Sequence, residues 1–181
     1  MAVDNLLVYS GVYSNVQDAI ADYESVTLLH NGEKLVDALD AAVVERRDNG
    51  KVKIVKKHES TTRGGVALGG GAGLATGLVI ALFPAAAIGG GLLLGTSAGG
   101  AVIGAIAGHA ASGMSRDDLR DIGEALDAGQ AGLVVVAMPD MGAEVEAAMK
   151  RATKVETRQL QADHEQLAAE TQEAHESEQS S

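Results

Sequence analysis

The sequence predicts an α+β protein, a ferredoxin-like βαββαβ domain with an inserted Gly-zipper helical hairpin and a C-terminal helix. Three observations lead there. Short Val-, Leu- and Tyr-rich runs alternate with helix-spaced segments on both sides of residues 64–114. That stretch holds no Asp, Glu, Lys or Arg, although the 181-residue chain has 25 acidic and 14 basic residues in all. It also contains 16 of the 23 glycines. The expected organisation is therefore residues 1–63 as the first part of the domain (βαββ) and 64–114 as the apolar hairpin. Residues 115–139 are its second part (αβ), and 140–181 form a C-terminal helix with an acidic, disordered tail.

Leu6 to Tyr13 has the length and composition of a strand. Its alternation sets Tyr9 and Tyr13 on the face opposite Val8 and Val12, and either pair suits a core. Ser14 or Asn15 then caps a helix, since a short side-chain oxygen accepts from the open amides of the first turn. Val16, Ala19, Ile20, Tyr23 and Thr27 follow at helical spacing, and Asn31-Gly32 ends the run. Ala38 to Arg47 reads as a second strand. Asp48-Asn49-Gly50 marks a tight turn, and Lys51-Val52-Lys53-Ile54 alternates as a half-exposed third strand.

Beyond the glycine-rich block, Ser115 with Asp118 three residues on resembles a capping box. Leu119, Ile122 and Leu126 mark one helix face, which stops near Gly129. The continuous run Leu133 to Ala137, ended by Pro139, predicts a strand buried on both faces. In a ferredoxin-like plan both helices share one face of the sheet, leaving the other for a partner or the C-terminal segment. From Asp140 onward a single glycine, Gly142, and many Ala, Glu and Gln favour helix, with a weak apolar stripe at Val145, Met149, Ala152, Leu160 and Leu167. Beyond Arg158 there are six acidic residues and no basic one, and the terminal ESEQSS is expected to be disordered.

Within the block, Gly65, Gly69, Gly73 and Gly77 recur every fourth residue. After Phe83-Pro84 come Gly91, Gly95 and Gly99, then Gly100, Gly104 and Gly108. Residues four apart line one ridge of a helix, so each row is a strip without side chains along which backbones approach closely. Each Gly costs a water-exposed helix roughly 1 kcal/mol relative to Ala, so the pattern calls for lipid or for other copies of the chain. Gly64 to Leu82 and Ile88 to Ala111 each approach the ~20 residues that cross a bilayer core. Seven basic residues from Arg46 to Arg63 precede the block, and Arg116 and Arg120 follow it. The positive-inside rule then places both termini in the cytoplasm, and MAVDNLLVYS lacks the basic start and apolar stretch of a signal peptide. Lys56, Lys57, Arg63 and Arg116 are the candidate lipid-headgroup contacts.

Other chemistries fit poorly. A flexible linker is at odds with Leu78-Val79-Ile80-Ala81-Leu82 and Leu92-Leu93-Leu94. No Lys in the block serves a P-loop, and Gly71-Ala72-Gly73 meets Thr76 where a dinucleotide fingerprint needs its third glycine. The chain has no Cys, a net charge of −11 and 2% aromatic residues, which argues against thiolate chemistry and against nucleic-acid binding by charge and stacking. The five histidines lack metal-site spacing. His109, near the end of the second arm, reads as an interfacial side chain. Asp117, Asp118 and Asp121 mimic a metal cluster, but a charged first helical turn explains two of them. No catalytic residue, cofactor site, metal site or small-molecule substrate is expected.

The Val/Tyr strand, the helix, Ala41-Ala42-Val43-Val44-Glu45-Arg46 with the Asp48-Asn49-Gly50-Lys51-Val52 turn, the Gly-zipper hairpin and the later Val-rich strand together resemble a bacterial family. Its members are predicted membrane proteins with a domain of unknown function (number 1269). The resemblance covers about residues 5–150, leaves the acidic tail outside, and implies membrane association with no established catalytic residues. The expectation is a non-enzymatic membrane protein that self-assembles through a transmembrane Gly-zipper hairpin, with itself and the bilayer as partners. The alternative is a soluble homo-oligomer whose hairpins share a buried core, and an enzyme built on the same frame is the third class considered.

Overall fold

A computed structural model describes residues 3–31, 39–48, 51–58, 74–83, 87–88, 92–93, 108 and 111–163, with 166, 169, 173 and 176. In chain order the elements are β1 (Val3–Tyr13), α1 (Val16–Asn31), β2 (Leu39–Arg46), β3 (Val52–His58), α2 (Leu74–Leu82), β4 (Ala87–Ile88) and β5 (Leu92–Leu93). After them come α3 (Arg116–Ala128), β6 (Ala131–Ala137), the 3-10 turn Pro139–Met141, α4 (Gly142–Ala148) and β7 (Lys154–Asp163). The protein is thus mixed α+β, with one sheet in the order β5-β4-β3-β2-β6-β1-β7.

The apolar run at 131–137 becomes the middle of the five long strands, antiparallel to both β1 and β2 and buried along its whole length. Leu133 and Val135 join one core cluster, Val134 and Val136 the other, as a strand covered on both faces requires. β2 and β3 form the expected antiparallel hairpin, which Arg47 closes by donating its amide to the Lys51 carbonyl at 2.9 Å; a bulge lies at Val43/Val44. Asn49 and Gly50 lie outside the described residues. Asn15, not Ser14, caps α1, its Oδ1 accepting the Asp18 amide at 2.9 Å. Ser115 caps α3 by accepting the Asp118 amide at 3.1 Å, and the helix ends at Gly129 as its sequence predicts.

Four expectations are corrected. First, the strand order is not ferredoxin-like. There the hairpin's second strand lies between the first two strands; here β6 occupies that position, between β1 and β2. Second, the helices divide between the faces. α1 and α4 cover the face of Tyr9 and Tyr13, with Ala19, Val26, Val145 and Met149. α2 and α3 cover the face of Leu6 and Val8, with Leu78, Val79, Ile122 and Leu126. Helices thus pack on both faces of the sheet, and the block itself supplies one of them.

Third, the chain from Asp140 is not a long helix. After the seven-residue α4 it turns and runs as β7 along β1, from Val12 opposite Lys154 to Val3 opposite Asp163. Pairing with β1 and burial of Leu160 and Ala162 outweigh the helical preference of the Gln- and Glu-rich stretch. Gln166, Ala169, Glu173 and Glu176 are helical and exposed; the rest of the predicted tail, 177–181 included, lies outside the described residues. Fourth, Ile88 to Ala111 is not one continuous helix: Ala87–Ile88 pairs parallel with β3, and Leu92–Leu93 pairs antiparallel with it in turn. Strand pairing satisfies their backbone without the helix that glycine disfavours. No helix among the described residues is long and apolar enough to cross a membrane.

Candidate functional site

The glycine-rich block is where the sequence places function, and its described part is held down firmly. α2 has nine residues, about 14 Å of helix at the usual rise. All of Leu74 to Ile80 is buried, with Leu78 and Val79 fully so. Its first amide, that of Leu74, donates to Asp40 Oδ2 of β2 at 2.9 Å. A carboxylate there satisfies one of the orphan donors of a helix start and favours its positive end. Pro84 follows at the other end. A backbone tether to β2 and an apolar face against β2 and β6 thus fix this part of the block to the chain's own sheet.

Of the predicted assembly glycines, Gly77 lies in buried α2 and Gly108 is helical and exposed. Among the described residues, a Cβ at Gly108 meets nothing within 4 Å. Gly65, Gly69, Gly73, Gly91, Gly95, Gly99, Gly100 and Gly104 lie outside the described residues, as do Arg63 and His109. Lys56 is exposed on β3, Lys57 follows it on the same strand, and Arg116 is exposed at the start of α3. Where α2 ends, Leu82 and Phe83 face Leu119 and Gly123 of α3 across an open groove of about 380 Å³ with Arg120 and Glu124 at its rim.

Two polar clusters were not anticipated by the sequence. In the first, fully buried Asp22 of α1 accepts three hydrogen bonds. They come from Tyr13 Oη at 3.1 Å, the Arg151 amide at 2.8 Å and Arg151 Nη1 at 2.9 Å. Three separate segments (β1, α1 and the turn before β7) are tied by one carboxylate. Its signal in the sequence is an acid between Ala19 and Val26 on the buried helix face. Burial first, then the neighbouring Asp22 carboxylate, pushes the Tyr13 phenol well above its ordinary 10.0. A raised acid stabilises the fold below its unfolded value and loses that contribution as pH climbs through the folded one. Stability is therefore expected to decline above about pH 10. Tyr13→Phe should flatten that part of the curve in urea unfolding across pH 8–12.

In the second cluster, Arg158 of β7 meets Asp118 at 3.1 Å, Asp121 at 3.6 Å and Glu156 at 3.5 Å, while Lys154 pairs with Glu156 at 2.5 Å. These contacts, with Arg120 on Asp117, make Asp117, Asp118 and Asp121 of α3 partners of arginine. Among the described residues no three of His, Asp and Glu stand together as a metal site.

Residues 66–172 match a family model described as "Protein of unknown function (DUF1269)". The match starts inside the glycine-rich block and runs through β7, later at both ends than the 5–150 span of the resemblance. No curated protein and no solved structure matches the chain.

Proposed function

The chain belongs to that family, DUF1269, and on this premise we propose that it is a non-enzymatic protein that assembles with its own copies at a membrane surface, using block 64–114 as its assembly element. The observation that carries the reading is 51 consecutive residues without a charge, with glycines at fourfold spacing. Such a segment gains from close backbone packing and loses in water. The block is then a hairpin insert whose first arm is α2 and whose far end includes helical Gly108, Ala111 and Ser112. Lys56, Lys57, Arg63 and Arg116 flank it, and each base near an anionic surface contributes about 1 kcal/mol. Both flanks then face the cytoplasmic leaflet.

A second reading, a soluble homo-oligomer in which the blocks pack on one another, is favoured by the burial of α2 against its own sheet. Membrane insertion of that arm requires the helix to leave Asp40 and the core; packing between copies does not.

Gly108→Leu tests the assembly reading at a position where a Cβ meets no described atom within 4 Å. The variant is expected to keep its far-UV spectrum and to lose mass in sedimentation of detergent-free protein. Wild-type mass in the variant overturns the zipper. Flotation with anionic vesicles separates the two readings: protein that floats supports the membrane, and a defined oligomer that stays behind supports the soluble assembly.

A further inference from the structure

β7 ends the sheet, and its outer edge carries more than an ordinary edge strand does. The Gln161 amide donates to the Gly113 carbonyl at 2.9 Å, so it points away from β1. Gly113 is required for that approach, since a Cβ there would collide with the Gln161 carbonyl. In an antiparallel strand the amide and carbonyl of one residue share a side, and successive residues alternate. Val155, Thr157 and Gln159 therefore also direct their backbone groups outward. Among the described residues none of their three amides has a partner. The Thr157 carbonyl accepts Arg158 Nη1 at 2.9 Å and retains its second lone pair. Folded proteins normally cover or blunt an edge of this length.

We propose that β7 is the interface of a two-fold dimer: the β7 edges of two copies pair antiparallel about Thr157 and join their sheets into one. Charge and backbone together select this register: an axis at Val155 would also oppose Lys154 and Glu156, but it needs the Thr153 amide, which the Val12 carbonyl already takes at 2.8 Å. With the axis at Thr157, Val155 stands opposite the second copy's Gln159, and the outward groups of both strands meet in hydrogen-bonded pairs. Glu156 of each copy then stands opposite Arg158 of the other, in the close pairs where opposite charges stabilise a sheet. Lys-x-Glu-x-Arg along Lys154 to Arg158 is thus self-complementary, as an isologous contact must be. The pairing spans Val155 to Gln159 and stops where Gly113 takes the Gln161 amide. An axis at Gln159 would set Arg158 against Leu160 and lose both charge pairs. This goes beyond the assembly reading above, because β7 lies outside the block and its pairing needs neither lipid nor the glycine rows.

Thr157→Pro removes one outward amide and no bond to β1, and an edge strand tolerates proline where its amide faces solvent. Sedimentation in plain buffer should show Gly108→Leu/Thr157→Pro at half the mass of Gly108→Leu alone, with an unchanged far-UV spectrum. As a second measure, Thr157→Cys places one thiol in a chain without Cys. Paired residues on the axis lie about 5.5 Å apart, within disulfide reach. Mild oxidation should convert most of this variant to covalent dimer, whereas Leu28→Cys, exposed on α1, stays single. Adding Gly108→Leu to Thr157→Cys leaves the cross-link intact, so failure of block assembly and failure of edge pairing are read separately. No loss of mass when Thr157→Pro is added to Gly108→Leu, or no more cross-linking at Thr157 than at Leu28, overturns the dimer.

Discussion

Asp22→Ala is expected to lower the unfolding free energy by about 3 kcal/mol, read as a shift of the urea midpoint at neutral pH. The loss has identifiable parts. The Tyr13 hydroxyl and the Arg151 amide lose their acceptor, and the Arg151 guanidinium loses its only described ion pair. The hydroxyl is the costliest of these, because Tyr13 is buried and water cannot replace the carboxylate. Asp22→Asn keeps an acceptor oxygen and should recover part of the loss. If Asp22→Ala unfolds with the wild-type midpoint, the carboxylate does not tie β1, α1 and the segment before β7 together.

Leu78→Ala is the second large effect, about 3 kcal/mol, within the usual range for a fully buried leucine that leaves a cavity. Its value lies in what it separates. With α2 docked on β2 and β6, the penalty appears in the isolated protein in plain buffer and does not depend on protein concentration. With the arm buried instead between copies, the same substitution acts through association, and its effect grows as the protein is diluted. A concentration-independent midpoint shift is the expected result. Leu28→Ala on the exposed side of α1 is the control and should change little.

The legible part of this fold was the part with a local pattern. The fully apolar 133–137 run could only be a doubly covered strand, and Asn15 and Ser115 announced their helices through side-chain oxygens that the structure finds bonded to the third amide on. β7 was missed because Lys154 to Asp163 has few apolar residues and good helix formers. Only β1, some 150 residues earlier in the chain, makes it a strand. The order of the sheet was missed for a related reason. Nothing local records whether β3 or β6 enters between β1 and β2, and that choice rests on long-range packing.

Of the candidate site, the glycine spacing was visible at once and the docking of α2 was not. A buried helix against a sheet and a helix in lipid ask for the same apolar residues. What decides between them here is Asp40, thirty-four residues before Leu74, whose carboxylate caps the start of the helix on its own sheet. A strand residue that caps a distant helix leaves no spacing to read. Asp22 was closer to legible, as an acid among Ala19 and Val26 is out of place unless something buried answers it.

The central claim is that the first arm of the charge-free block is part of the domain's own core. Amide hydrogen exchange over Leu74 to Leu82, in detergent- and lipid-free protein, tests it directly. Docked on the sheet, these amides should exchange as slowly as those of Ala131 to Ala137, and Leu78→Ala should speed both segments together. Rapid exchange of 74–82 beside a protected 131–137, slowing only when lipid or detergent is added, would contradict the account.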